Sequence, residues 1–236
     1  MSHVVKQKGF TLVELMLAMG FISVLLLAIA MTVIQIGTIY NRGMTLKDIN
    51  QTSRALSDDI RRSVSNSSSI SLSTDYRTSS AGGRICLGTV SYIWNYSNAL
   101  TKADPLVAKY DKRPTETLRL VRVPDKEKLY CAVKVDGSLA NRNIRALDDA
   151  QAQELLKSGD KDLAIHQLNL VSQPSAQDPA TAQRLYVLTF TIGTATVSAL
   201  TPDQTHCLAP GDPGADPVYC NVQQFSLVLR AGNRVN

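Results

Sequence analysis

The apolar positions of this chain fall into two regimes. Residues 15–41 contain no charged side chain, and about 20 apolar residues are enough to cross a bilayer as a helix. Beyond them Leu46, Ile49, Leu56, Ile60 and Val64 recur at helical spacing, opposite Lys47, Asp48, Arg54, Asp58 and Arg61. That is the pattern of a helix with one apolar stripe. No proline occurs before Pro105, so the two regimes are predicted to form one continuous helix over 11–64, about 80 Å long. The alternative is a break at Gly37 or Gly43, since an internal glycine costs about 1 kcal/mol of helix propensity.

After the helix the period changes. Residues 65–83 are polar and turn-rich, with one short strand predicted at 70–72. Further strands are predicted at 84–94, 116–123, 128–135, 164–171, 184–192 and 222–230 from β-branched and aromatic content between Gly, Pro and Asp. Residues 117–135 read as a hairpin about Pro124-Asp125. Residues 144–160 read as a short amphipathic helix, with Ile144, Leu147, Leu155 and Leu156 near one face and Gly159 as its stop. Residues 173–183 and 201–217 read as loops, and no internal repeat is visible. The fold class is α+β: a long N-terminal helix, transmembrane in its first half, packed on a mainly antiparallel β-sheet head. Residues 65–236 are ample for one domain with its own core.

Charge singles out Glu14, a carboxylate at the start of the apolar run. An ionised side chain at the edge of the hydrocarbon is expensive unless it meets a cation or points into protein, which makes Glu14 a functional candidate. The plainer alternative is a glutamate that snorkels to the interface. Lys6 and Lys8 stand ahead of the run with no acid among them, in keeping with retention of that end in the cytoplasm.

Lys8-Gly9-Phe10-Thr11-Leu12-Val13-Glu14 resembles the class III signal of type IV pilin-like proteins: a basic leader, a Gly before the cut, a Phe after it, and a Glu at the fifth mature position. An ordinary secretory signal has its cleavage site after the apolar segment, not before it. The resemblance implies cleavage between Gly9 and Phe10 by a prepilin peptidase, N-methylation of the Phe10 amine, and retention of the apolar helix. For Glu14 it implies a role in subunit assembly, meeting the N-terminal amine of a neighbouring subunit. Such a pair serves register better than net stability. The chain then divides into a leader, 1–9; a transmembrane or filament-core helix half, 10–41; an amphipathic half packed on the head, 42–64; and a β-rich head, 65–236. The pilin fold is α+β in the same sense.

Two departures from major pilins point to a minor subunit. The head is larger, and the proline that commonly interrupts the membrane helix of major pilins would fall at Met31. The stretch INQTSRALSDDIRRSV also resembles the spine of W-type minor pilins and J-type minor pseudopilins. Retention of Glu14 argues against the outermost tip subunit.

Cys86, Cys131, Cys207 and Cys220 all follow the membrane segment. An even count facing an oxidising compartment reads as two disulfides, in any of three connectivities. The expected pairing is Cys86 with Cys131 and Cys207 with Cys220. The second pair closes LAPGDPGADPVY, which resembles the disulfide-bounded C-terminal loop of many pilins. Zinc at His206-Cys207 is the alternative, without the close cysteine pair of a structural site.

The remaining chemistry is sparse. The net charge of +5 drops by two with the loss of Lys6 and Lys8, too little and too scattered to argue for nucleic acid. His166 lies in a strand-like stretch without a nucleophile beside it, and His206 in a loop. Asp58-Asp59 suit a solvated helix face. Asp203, Asp212 and Asp216 lack the ligand spacing of an EF-hand. Tyr92, Trp94 and Tyr96 alternate along one strand face, as an exposed binding ridge or, more simply, as core.

The expected function is that of a minor type IV pilin without catalytic residues, metal, cofactor or small-molecule substrate, helping to prime assembly or form the tip complex of a pilus for motility, adhesion or DNA uptake. Its expected partners are the prepilin peptidase, other minor and major pilins, the inner-membrane assembly platform and the lipid bilayer. Its expected place is the inner membrane, single-pass, with the head in the periplasm or outside the cell, and then the pilus or pseudopilus. The alternatives are a minor pseudopilin of a type II secretion system, a membrane-tethered enzyme that uses the pilin signal for localisation, and a ligand-binding adhesin or DNA receptor.

Overall fold

A computed structural model of the protein describes residues 9–101, 107–110, 116–132, 151–156, 162–173 and 183–232. The first element, helix α1, runs from Leu12 to Ser65. It passes Gly37 and Gly43 without a break, so the alternative of two separate helices does not hold. The chain divides into two compact units between Asn41 and Arg42.

In the first unit no α1 residue is buried, and large apolar side chains from Phe10 to Tyr40 are exposed around the whole circumference. A helix apolar on all sides needs a nonaqueous or protein environment. In the second unit the buried positions of α1 are Thr45, Ile49, Thr52, Ser53, Leu56, Ile60, Ser63 and Val64. These are one helical stripe. It includes the predicted apolar positions, except that Leu46 lies only half-buried at its margin, and it adds the small hydroxyl residues Thr45, Thr52, Ser53 and Ser63.

The strands are β1 (Tyr76–Thr78), β2 (Gly82–Cys86), β3 (Val90–Asn95), β4 (Leu120–Pro124), β5 (Gln153–Glu154), β6 (Leu163–Gln173), β7 (Arg184–Thr194) and β8 (Val222–Ala231). They form not one sheet but two, a five-stranded β1-β2-β3-β4-β5 and a three-stranded β6-β7-β8, in sequential order. All the strand pairs are antiparallel, and one isolated parallel bridge, Tyr96 to Ile165, links the sheets. The main core lies where the α1 stripe meets both sheets: Ile49, Leu56, Ile60 and Val64 join Ile85, Tyr92, Trp94 and Leu120 of the first and Ile165, Leu168, Tyr186 and Phe190 of the second. Fully burying each such side chain contributes about 1.5–3 kcal/mol. The arrangement is α+β, a long helix and antiparallel sheets in a pilin-like fold.

Several boundaries differ from the sequence expectations. Residues 70–72 form no strand, and the first strand lies at Tyr76–Thr78 instead. Ile70 is held by a side chain: Tyr186 donates its hydroxyl to the Ile70 carbonyl at 2.6 Å and receives the Ile70 N–H at 2.9 Å. The predicted strand 84–94 is a hairpin, β2 and β3, turned through Gly88 at φ +79°, a backbone conformation that favours glycine. Strand β4 starts at Leu120 rather than 116. Residues 128–132 make a turn rather than a strand, because the Asp125 carboxylate takes the N–H groups of Leu129 and Tyr130 and the Ser91 hydroxyl. In the predicted helix 144–160, the described part contains strand β5, whose Gln153 and Glu154 pair with Arg122 and Val121 of β4. Leader residues 1–8, residues 133–135 and 144–150, Gly159, and 174–182 of the predicted loop lie outside the described residues.

Candidate functional site

The N-terminal end of α1 is built by a reciprocal cap. Thr11 is the residue before the helix and its carbonyl accepts the Leu15 N–H at 3.2 Å. Its own N–H and hydroxyl both donate to Glu14 Oε2, at 2.9 and 2.8 Å, while the Glu14 N–H donates to Thr11 Oγ1 at 3.3 Å. This is a capping box, which satisfies backbone donors that the first helical turn leaves open. The signal for it is plain in the sequence, Thr-x-x-Glu before an apolar run, and reading Glu14 as a lone charge misses it. Glu14 Oε1 makes no hydrogen bond among the described residues. Gly9 and Phe10 lie just outside the helix, both exposed, Phe10 by 88 %. The capping box therefore lies wholly downstream of the Gly9–Phe10 bond.

Along the apolar half, three serine and threonine hydroxyls are satisfied within the helix. Ser23 donates to the Met19 carbonyl at 2.8 Å, Thr32 to Ala28 at 2.8 Å and Thr38 to Ile34 at 3.1 Å. Such bonds remove the penalty of a bare hydroxyl in hydrocarbon. By length and composition, α1 can cross a membrane once.

The head is braced by two disulfides, Cys86–Cys131 and Cys207–Cys220. The first ties the end of β2 to the 126–131 turn, where Lys128 also pairs with Asp75 at 2.9 Å. The second ties the start of β8 to the segment after Leu200, and Leu200 forms a bridge with Cys207. His206 beside it is exposed, in contact with the Thr205 hydroxyl at 2.7 Å.

The remaining candidates have structural settings. Trp94 and Tyr92 are 1 % and 2 % exposed, so the exposed aromatic ridge does not exist; Tyr96 is half-buried. The Tyr92 hydroxyl lies 2.7 Å from both Asp59 Oδ2 and Ser63 Oγ, and burial pushes its ionisation well above the ordinary range. Asp59 is thus half-buried against β3, while Asp58 keeps the solvated face. Asp203 accepts the hydroxyls of Thr201 and Thr205, at 2.6 and 2.7 Å, and these bonds hold its carboxyl down to about 2. Asp216 accepts the N–H groups of Val218 and Tyr219. No three His, Cys, Asp or Glu side chains converge among the described residues.

His166 is the least ordinary polar residue. It occupies a β-bulge, since Ile165 pairs with Ile192 and Gln167 with Thr191, and the extra residue resets the alternation so that Leu168 and Leu170 face the core. The imidazole is buried, with Nδ1 2.7 Å from Ser97 Oγ; Ser97 in turn donates to Gln204 Oε1 at 2.6 Å. That bond directs the one hydroxyl hydrogen of Ser97 at the glutamine rather than at the imidazole. Nε2 has no hydrogen-bond partner. The trio links β6, the turn after β3 and the Thr201–Cys207 segment.

Comparison with protein-family models, with curated proteins and with solved structures gave no match to this chain. Among the described residues one helix is long and apolar enough to cross a membrane, and it leads into an antiparallel head with two disulfides, a membrane-anchor-like arrangement compatible with a pilin.

Proposed function

We propose that this protein is a minor type IV pilin, a structural subunit and not an enzyme, anchored in the inner membrane and processed by a prepilin peptidase before joining a pilus. The observation that carries the proposal is the setting of Glu14: the fifth residue after Gly9-Phe10's scissile bond, fixed by the Thr11 cap, at the head of a helix apolar on every side. Cleavage would create an ammonium at Phe10, next to the positive end of the α1 dipole, an unfavourable place for a cation. A carboxylate held at Glu14 offsets that repulsion in the free subunit, and Oε1 is available to the Phe10 amine of a neighbour. The partners in this reading are the peptidase, other minor and major pilins, the assembly platform and the bilayer.

The test is N-terminal sequencing of membrane-extracted protein with and without prepilin peptidase, with Glu14→Gln and Thr11→Val scored for incorporation into sheared filaments. Glutamine keeps the capping pattern and loses the charge, whereas Thr11→Val weakens the cap and keeps the charge. The expected result is a mature start at methylated Phe10 only when the peptidase is present, with Glu14→Gln processed but left in the membrane. Retention of the leader with the peptidase active, or wild-type incorporation of Glu14→Gln, refutes the proposal. Deletion then assigns the machine: loss of twitching and DNA uptake for a pilus, loss of protein export for a secretion pseudopilus.

A further inference from the structure

The five-stranded sheet has two faces. One carries Tyr76, Ile85, Tyr92 and Trp94 into the main core; the other carries Ile93, Val121 and Val123 into a smaller cluster with Ala108 and Leu118. On this second face Arg77 of β1 stands directly opposite Arg84 of β2, and Arg84 directly opposite Ile93. Like charges placed opposite each other in an antiparallel pair repel, and here one of them is interior. Arg84 is 3 % exposed, and neither Nη1 nor Nη2 has a hydrogen-bond partner; Nε of Arg77 is likewise buried and unpartnered. A buried guanidinium without acceptors is among the more costly arrangements in a protein interior.

The acids of the same sheet are committed elsewhere. Asp75 holds Lys128. Asp125 holds Ser91 and the turn after β4. Glu154 accepts the Tyr110 hydroxyl and the N–H groups of Arg119 and Leu120. The Asn95 amide is spent on the backbone of Ala108 and Leu118. The two arginines line a cleft with Ser79, Ile93, Asn95 and Ala108, and no acidic side chain lines it among the described residues. Its cavity volume is 40 Å³, roughly three waters' worth of space. That admits the head of a carboxylate or phosphate.

We propose that the Arg77–Arg84 cleft binds an oxyanion, whose oxygens supply acceptors to Nη1 and Nη2 of Arg84 and to Nε of Arg77. Planar guanidinium forks match such groups in a bidentate manner. The anion is either a free ion or a carboxylate carried on another protein's side chain, and the chemistry at the two arginines is the same for both.

The experiment uses the full chain in detergent micelles, its melting followed by Trp94 fluorescence. Sodium phosphate is titrated against sodium chloride at constant ionic strength in one arm, and the N-acetylated, C-amidated tripeptide Gly-Glu-Gly against the likewise blocked Gly-Gln-Gly in the other. The expected result is a saturable rise in melting temperature in at least one arm, with apparent affinity reduced about tenfold to a hundredfold in Arg77→Gln and in Arg84→Met. Saturation by phosphate supports a free ion, and saturation by Gly-Glu-Gly alone supports a protein carboxylate. No rise in either arm, or the same rise in Arg77→Gln as in wild type, overturns the proposal. Arg77 is half-exposed at the rim, so its variant keeps the test decisive if Arg84→Met does not fold.

Discussion

Removing the two disulfides one at a time, as Cys86→Ala with Cys131→Ala and as Cys207→Ala with Cys220→Ala, should destabilise the head unequally. The bridges span sequence separations of 45 and 13 residues. The loop entropy restored to the unfolded chain is then worth about 4 and about 3 kcal/mol respectively. Packing widens the gap. Cys86 and Cys131 are both buried, whereas Cys207 is half-buried, so truncating the first pair also empties space in a closed core at a further cost of about 1 kcal/mol. The expected difference is about 2 kcal/mol. Urea unfolding of the full chain in micelles measures it, because the single tryptophan, Trp94, is 1 % exposed and stacks on Tyr76 at 6.3 Å between ring centroids. Mild reductant should open Cys207–Cys220 first, since its Cys207 end is the more accessible. An equal or larger loss on removing Cys207–Cys220 refutes the reasoning.

Three other outcomes follow. Burial holds the His166 imidazole below its ordinary value of 6.5, against the opposing hydrogen bond of Gln204; the unfolded chain therefore binds the proton more readily, and head stability is full above pH 6.5 and falls below it. The urea midpoint should drop between pH 7 and pH 5 in wild type and drop less in His166→Gln; equal slopes refute the assignment. A Cβ at Gly83 would lie 2.4 Å from Trp94 Cζ2 and 2.7 Å from the Arg77 carbonyl, so Gly83→Ala should cost about 1–3 kcal/mol in the same assay. Tyr186→Phe removes the one side chain that pairs both Ile70 N–H and Ile70 carbonyl and should cost about 1–3 kcal/mol, with faster amide exchange at Ile70.

Where one physical signal dominates, the fold is legible from residue types. The 54-residue helix is announced by an unbroken apolar run followed by a stripe of helical period, and β7 by a run rich in Val, Thr and Ile. Legibility fails where side chains redirect the backbone. The interruption of 84–94 depends on Gly88, and the lost strand at 128–132 on Asp125, whose carboxylate acts at three places along the chain. The Gln-Glu-Leu-Leu of 153–156 has helical propensity, yet Glu154 is more useful as an acceptor at the sheet edge. Buried Thr45, Thr52, Ser53 and Ser63 break the apolar count of the stripe because size, not polarity, qualifies them. At the candidate site, Glu14 stands out by charge alone, while its Thr11 partner emerges only when the spacing of the two is read as a cap. Arg77 and Arg84 give no signal in the sequence. Seven residues apart, they meet only because the β1–β2 turn sets them in register.

Under the proposed function, the three internally bonded hydroxyls of α1, Ser23, Thr32 and Thr38, bear on extraction from the bilayer. A helix whose serines and threonines answer to its own carbonyls does not register whether its neighbours are acyl chains or other helices, since lipid tails are about as apolar as leucine. Moving it from one to the other exchanges apolar contacts of similar worth and requires no donor to change partner. Such a segment behaves as ballast of neutral buoyancy: the body of the helix contributes little bias to the transfer, and direction is left to its charged end at Glu14 and to whatever pulls on the head.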